Sequence, residues 1–115
     1  MTTKINNYNA IAEELTNMLI DLDVDHNDFQ IDIYLYIRED GNAYLYQFTN
    51  VGGNSWLDDD HILVYQDKPH YDDIPFDEDG NTISDADYRD YLEEFRADYM
   101  DTAWNALDDA EIEPA

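Results

Sequence analysis

The spacing of apolar positions changes several times along this chain, and each change marks an element. In NNYNAIAEELTNMLIDL, Tyr8, Ile11, Leu15, Met18, Leu19 and Leu22 recur at the spacing of one helix face. Asn7, just ahead of that run, is a residue type that caps helices. The polar stretch 21–27 then predicts a turn.

DFQIDIYLYI alternates strictly. Phe29, Ile31, Ile33, Leu35 and Ile37 point one way, and Asp32, Tyr34, Tyr36 and Arg38 the other. EDGN follows, and Asp-Gly between alternating runs signals a hairpin. A tight turn at Asp40-Gly41 predicts the pairs Ile37–Tyr44, Leu35–Tyr46 and Ile33–Phe48. The core face would then be aliphatic on one strand and aromatic on the other. The opposite face would carry Asp32, Tyr34, Tyr36, Arg38, Leu45, Gln47 and Thr49, covered by a loop or offered to a partner.

VGGNSWLDDD reads as a loop around Gly52-Gly53, and HILVYQ as a third strand. Residues 68–81, with Pro69 and Pro75, read as irregular, and Ser84 then caps a long helix with Asp87 three residues on. The order α-β-β-β-α predicts an α+β fold in a single domain, residues 1–115: an N-terminal helix, a three-stranded antiparallel β-meander and a long acidic C-terminal helix.

That last helix, DADYRDYLEEFRADYMDTAWNALDDAEIE, predicts a core stripe of Tyr88, Tyr91, Leu92, Phe95, Tyr99, Ala103 and Ala106. A separate stripe carries Asp87, Asp90, Glu94, Asp98, Asp101 and Asp108. Neighbours three or four residues apart rise about 4.5–6 Å along a helix, the scale of the roughly 3.4 Å between phosphates on a DNA strand. Arg89 and Arg96 lie off this stripe, where each can pair with Glu93. Met100, Trp104 and Leu107 form a further apolar strip, expected either under the N-terminal helix or as anchors for a partner.

Composition extends the acidic theme. The chain has 29 Asp plus Glu against 5 Lys plus Arg, a formal net charge of −24 in 115 residues. Charge on that scale with low hydropathy points toward disorder. Ten Tyr, four Phe and two Trp, with only four Gly and three Pro, argue instead for a folded domain with a modest core and an acidic shell. The excess continues in Asp58, Asp59 and Asp60, in Asp72 and Asp73, and in Asp77, Glu78 and Asp79. Such a chain is repelled by nucleic acid and anionic membranes and attracts basic partners. A solvated helix face, or a halophile's acidic surface, is the plainer explanation of the same charge.

With no cysteine, thiol catalysis, disulfides and thiolate metal sites are excluded. No leader-like or membrane-spanning run is evident, so a cytoplasmic protein is expected. FDEDGNTISDADY resembles a calcium loop, but counted from Asp77 its Gly80 arrives too early and Tyr88 falls where the bidentate glutamate belongs. His26, His61 and His70 are widely separated and show no zinc spacing. No nucleophile elbow or phosphate loop is present. The expectation is a non-enzyme without cofactor or metal.

In size, charge and layout the chain resembles the small acidic DNA-mimic proteins that phages and mobile elements direct against host defence. These include antirestriction proteins and some anti-CRISPR inhibitors. The likeness rests on an N-terminal helix, a turn at Asp40-Gly41-Asn42 followed by Tyr44, and an acidic helical C-terminus. A single long C-terminal helix and the acidic segment 72–79 depart from that layout. The resemblance implies an inhibitor that occupies the basic DNA groove of a defence nuclease, either a type II CRISPR effector or a restriction enzyme. Carboxylates would take arginine contacts in place of phosphates, without the inhibitor itself binding nucleic acid. The alternative is an acidic adaptor for a basic partner, with Tyr34, Tyr36, Trp56 and Trp104 as aromatic anchors; calcium binding ranks third.

Overall fold

The first helix, α1, spans Tyr8–Asp25 and runs well into the stretch expected to turn. Leu22 and Val24 explain the extension: both are buried, so the apolar face persists through the intervening aspartates. The computed structural model describes residues 2–25, 30–50, 61–67, 78–81 and 83–115. The remaining elements are β1 (Thr3–Ile5), β2 (Gln30–Ile37), β3 (Ala43–Asn50), β4 (His61–Asp67), α2 (Asp85–Glu93), α3 (Arg96–Asp109) and β5 (Ile112–Pro114). The fold is α+β, with three helices and a three-stranded antiparallel sheet among the described residues.

That sheet is not a meander. Its order is β3-β2-β4, so β4 pairs with β2 rather than with β3. Ile31, Ile33 and Leu35 give β2 the most completely buried face of the sheet. The central position surrounds that face with neighbours on both sides and satisfies both backbone edges of β2.

The hairpin register also differs from the expected one, by a single residue. Observed pairs are Ile37–Ala43, Tyr36–Tyr44, Leu35–Leu45, Tyr34–Tyr46 and Ile33–Gln47. The loop has three residues rather than two. Gly41 N–H donates to the Arg38 carbonyl at 2.9 Å, Arg38 N–H donates to the Asn42 carbonyl at 2.9 Å, and Gly41 sits at φ 86°. A type I turn closed by a left-handed glycine is the common three-residue hairpin loop. Because strand side chains alternate, this slip reverses β3. Leu45 packs on the core, while Tyr44 and Tyr46 are exposed on the other face.

Asn7 stands at the expected cap position, its carbonyl accepting from Ile11 N–H at 3.0 Å, but its side chain turns to β3 instead of the helix. Its side-chain amide donates to the Ala43 carbonyl at 2.9 Å and its oxygen accepts from Ala43 N–H at 2.8 Å. The start of α1 is thereby pinned to the start of β3. The chain ends are joined by a short parallel ladder, Thr3–Ile112 to Ile5–Pro114, which the sequence pattern did not reveal. Ile5 and Ile112 are buried in it.

The predicted C-terminal helix is two helices. Ser84 caps α2 as expected, accepting from Asp87 N–H at 3.2 Å. The break falls at Glu94 and Phe95, where Glu94 N–H reaches the Tyr91 carbonyl (3.2 Å) and Phe95 N–H the Leu92 carbonyl (2.9 Å), the tighter i→i+3 pattern. No glycine or proline marks it, so its cause is tertiary. Tyr88 and Leu92 of α2 pack with Ile20 and Val24, whereas Ala103 and Leu107 of α3 join the main core with Leu15 and Leu35. Tyr91 and Phe95, expected inside, are exposed and meet edge-to-face at 5.3 Å; Leu107, assigned to the second strip, is fully buried.

Candidate functional site

The carboxylate stripe keeps its exposure but not its single rod. Asp87 and Asp90 stand on α2, Glu94 at the joint, and Asp98, Asp101 and Asp108 on α3; all are exposed. One-turn spacing therefore holds from Asp87 to Asp90 and from Asp98 to Asp101, is interrupted at the joint between the helices, and skips a turn between Asp101 and Asp108. Glu78 and Asp79 are exposed at a turn beside Gly80, whose φ is 83°. Asp58, Asp59, Asp60, Asp72, Asp73, Asp77 and Trp56 lie outside the described residues.

The two helical arginines leave the stripe alone. Arg89 pairs with Asp21 of α1, not with Glu93 as expected. Arg96 does pair with Glu93 (3.2 Å) and also donates to Asn17 Oδ1 of α1 at 2.8 Å. Both cations thus tie α2 and α3 to α1, and neither meets Asp87, Asp90, Glu94, Asp98, Asp101 or Asp108. Like charges one turn apart each cost a few tenths of a kcal/mol, a repulsion the arginines do not relieve by contact. A third tie joins α3 to α1: the Tyr99 hydroxyl donates to the Asp23 carboxylate. Burial first, then that hydrogen bond and the nearby negative charge, hold the Tyr99 phenol well above its usual pKa. Tyr8 is raised too, by burial and then by the charge of Asp108.

Trp104 is 45% exposed. With Met100 and Arg96 it lines one wall of a cleft of about 280 Å³, faced by Asn9, Ala12 and Glu13 of α1. The apolar strip therefore divides. Leu107 belongs to the core, whereas Trp104 borders an open cleft beside α1.

The reversed strand β3 adds Tyr44 and Tyr46 to the sheet face on which Tyr34 and Tyr36 were expected. Across the sheet face turned away from the helices, one row joins Tyr46, Tyr34 and Leu63, and the next joins Tyr44, Tyr36 and His61. The Tyr36 and His61 rings lie 5.1 Å apart, Tyr46 and His61 6.1 Å, and Tyr34 and Phe48 5.9 Å. The Arg38 guanidinium sits 4.7 Å above the Tyr44 ring. Tyr34 and Tyr36 are half-buried within this layer, while Tyr44, Tyr46 and Leu63 are 39%, 40% and 41% exposed. The signal was present as tyrosines two apart on both strands, but an assumed two-residue turn placed one pair inside.

At the far end of the same face Asp32 is buried, its carboxylate accepting from Gln66 Nε2 at 2.9 Å and Gln30 Nε2 at 3.3 Å. These amides supply part of the hydrogen bonding that a buried carboxylate requires. Among the described residues no group of three or more His, Asp or Glu side chains gathers to hold a metal, and no helix is long and apolar enough to cross a membrane. Comparison with protein families, curated proteins and solved structures finds no match to this chain, so the reading of its surfaces rests on their own chemistry.

Proposed function

We propose that this protein is a DNA-mimic inhibitor that occupies the basic DNA-binding groove of a defence nuclease. The observation that carries the reading is the row of exposed carboxylates along α2 and α3, set beside arginines that turn toward α1 instead. A groove built for phosphates offers arginine and lysine side chains at roughly helical-turn spacing. Carboxylates projecting from fixed helices supply acceptors without the cost of ordering a flexible acidic tail. Inhibition is by occupancy and needs no catalytic group of the inhibitor.

The test is affinity capture with the intact protein as bait. Capture of a nuclease that duplex DNA releases supports the mimic; capture of a basic protein indifferent to DNA favours the adaptor, for which exposed Trp104 and the tyrosine face provide anchors.

A further inference from the structure

We infer that the tyrosine face of the sheet is a second docking surface, built to stack the arginine side chains of a basic partner segment. The face and the carboxylate row are on opposite layers. Ile31, Ile33 and Leu35 of β2 pack with Leu15, Leu19, Ala103 and Leu107 of the helices, so Tyr34 and Tyr36 project from the other side. A flat contact with the acidic row leaves the tyrosines untouched.

Two observations identify the occupant. First, the face already holds a guanidinium, since Arg38 lies 4.7 Å above Tyr44. Tyr46, two residues on and equally exposed, presents the same ring chemistry beside it. Second, the chain's net charge of −24 draws cationic segments and repels nucleic acid and further copies of itself. Aromatic rings that stack bases on other sheets are here embedded in the wrong field for a phosphate backbone. Planar, weakly hydrated guanidinium groups suit exposed tyrosine rings better than lysine ammonium groups do. The occupant is therefore an arginine-bearing protein segment. The inference rests on the proposed function only in requiring a basic partner.

The test compares labelled arginine and lysine decapeptides of equal charge, titrated into the full chain by fluorescence anisotropy. The arginine peptide is expected to bind about two- to fivefold more tightly, as stacking on Tyr46, the exposed ring that Arg38 does not cover, allows. Tyr44→Ser with Tyr46→Ser is expected to bring the ratio near one while lysine-peptide binding stays constant. Arg38→Gln, at an exposed site, frees Tyr44 and is expected to raise the ratio. Its readout does not depend on the double variant folding. Neutralising Asp90, Glu94 and Asp98 lowers affinity for both peptides and removes any arginine preference due to those carboxylates, leaving a ratio above one that still depends on Tyr44 and Tyr46. A wild-type ratio near one, a ratio that Arg38→Gln fails to raise, or preferential binding of a single-stranded oligonucleotide would overturn the inference. So would tyrosine-dependent self-association. None of these results touches the competition with DNA on which the proposed function stands.

Discussion

Tyr99 of α3 donates its phenolic hydrogen to Asp23 in the last turn of α1, so the acidic C-terminal layer is fastened to the N-terminal helix by a neutral donor as well as by Arg89 and Arg96. The neutral donor matters because it adds no charge to a surface already dense in carboxylates. Tyr99→Phe is expected to lower stability by about 1.5 kcal/mol, the value of a hydrogen bond to a charged acceptor. Urea unfolding at pH 7 measures it, and an unchanged midpoint would show that the contact contributes nothing.

The same bond sets an alkaline limit. A phenol whose pKa is raised in the folded state stabilises the fold fully below its unfolded value of 10.0, and that contribution is lost as pH climbs from there toward the folded value. The melting temperature is expected to hold from neutral pH to about pH 9.5 and then fall. In Tyr99→Phe the fall should be shallower than in the parent. An equal slope in the two proteins would assign the alkaline loss to other groups.

Gly41 carries a steric prediction. At φ 86°, an added Cβ would lie 2.6 Å from Asn6 Nδ2, which is held in place by its bond to the Asp40 carbonyl at 2.8 Å. Gly41→Ala is expected to cost about 1–3 kcal/mol through backbone strain and displacement of Asn6. Gly80 has a similar φ, but no atom lies within 4 Å of its added Cβ, so Gly80→Ala should cost less. Thermal unfolding of the two variants side by side checks the ranking.

Self-repulsion makes folding sensitive to ionic strength. Raising salt from about 0.01 M to 0.15 M shortens the screening length from about 30 Å to about 8 Å. The melting temperature should rise over that range, given a net charge of −24. A flat response would mean that the carboxylates are farther apart on average than the α2 and α3 rows indicate.

Much of this fold was legible because period and capping act locally. The face of α1, the alternation of β2, the strand at 61–66 and the Ser84 cap follow from residues a few positions apart. What was not legible depends on distant partners. The order β3-β2-β4 is decided by which edge β4 joins, and the break after Glu94 by two separate packing clusters. The β1–β5 ladder joins three-residue segments too short to show a period. Loop length governed the hairpin: one extra residue at Glu39, Asp40 and Gly41 moved Leu45 inward and Tyr44 and Tyr46 outward. The acidic stripe, the two arginines off it and the Arg96–Glu93 pair were readable as a pattern, but the arginines' contacts with Asp21 and Asn17 of α1 were not.

That register has its own test. Leu45→Lys puts a charge against the core and should cost about 2 kcal/mol or more, whereas Tyr46→Lys on the exposed face should stay within about 1 kcal/mol of the parent. The reverse ranking would restore the two-residue turn.

The central claim is that the carboxylates of α2 and α3 stand in for phosphates. Its most direct measurement is competition between the protein and duplex DNA for a captured nuclease, using Asp90→Asn, Glu94→Gln and Asp98→Asn combined, with circular dichroism to confirm the fold. The account predicts that the parent displaces DNA, with affinity falling steeply from about 50 to about 200 mM salt, and that the triple variant loses displacement while remaining folded. Undiminished displacement by the folded triple variant would contradict it.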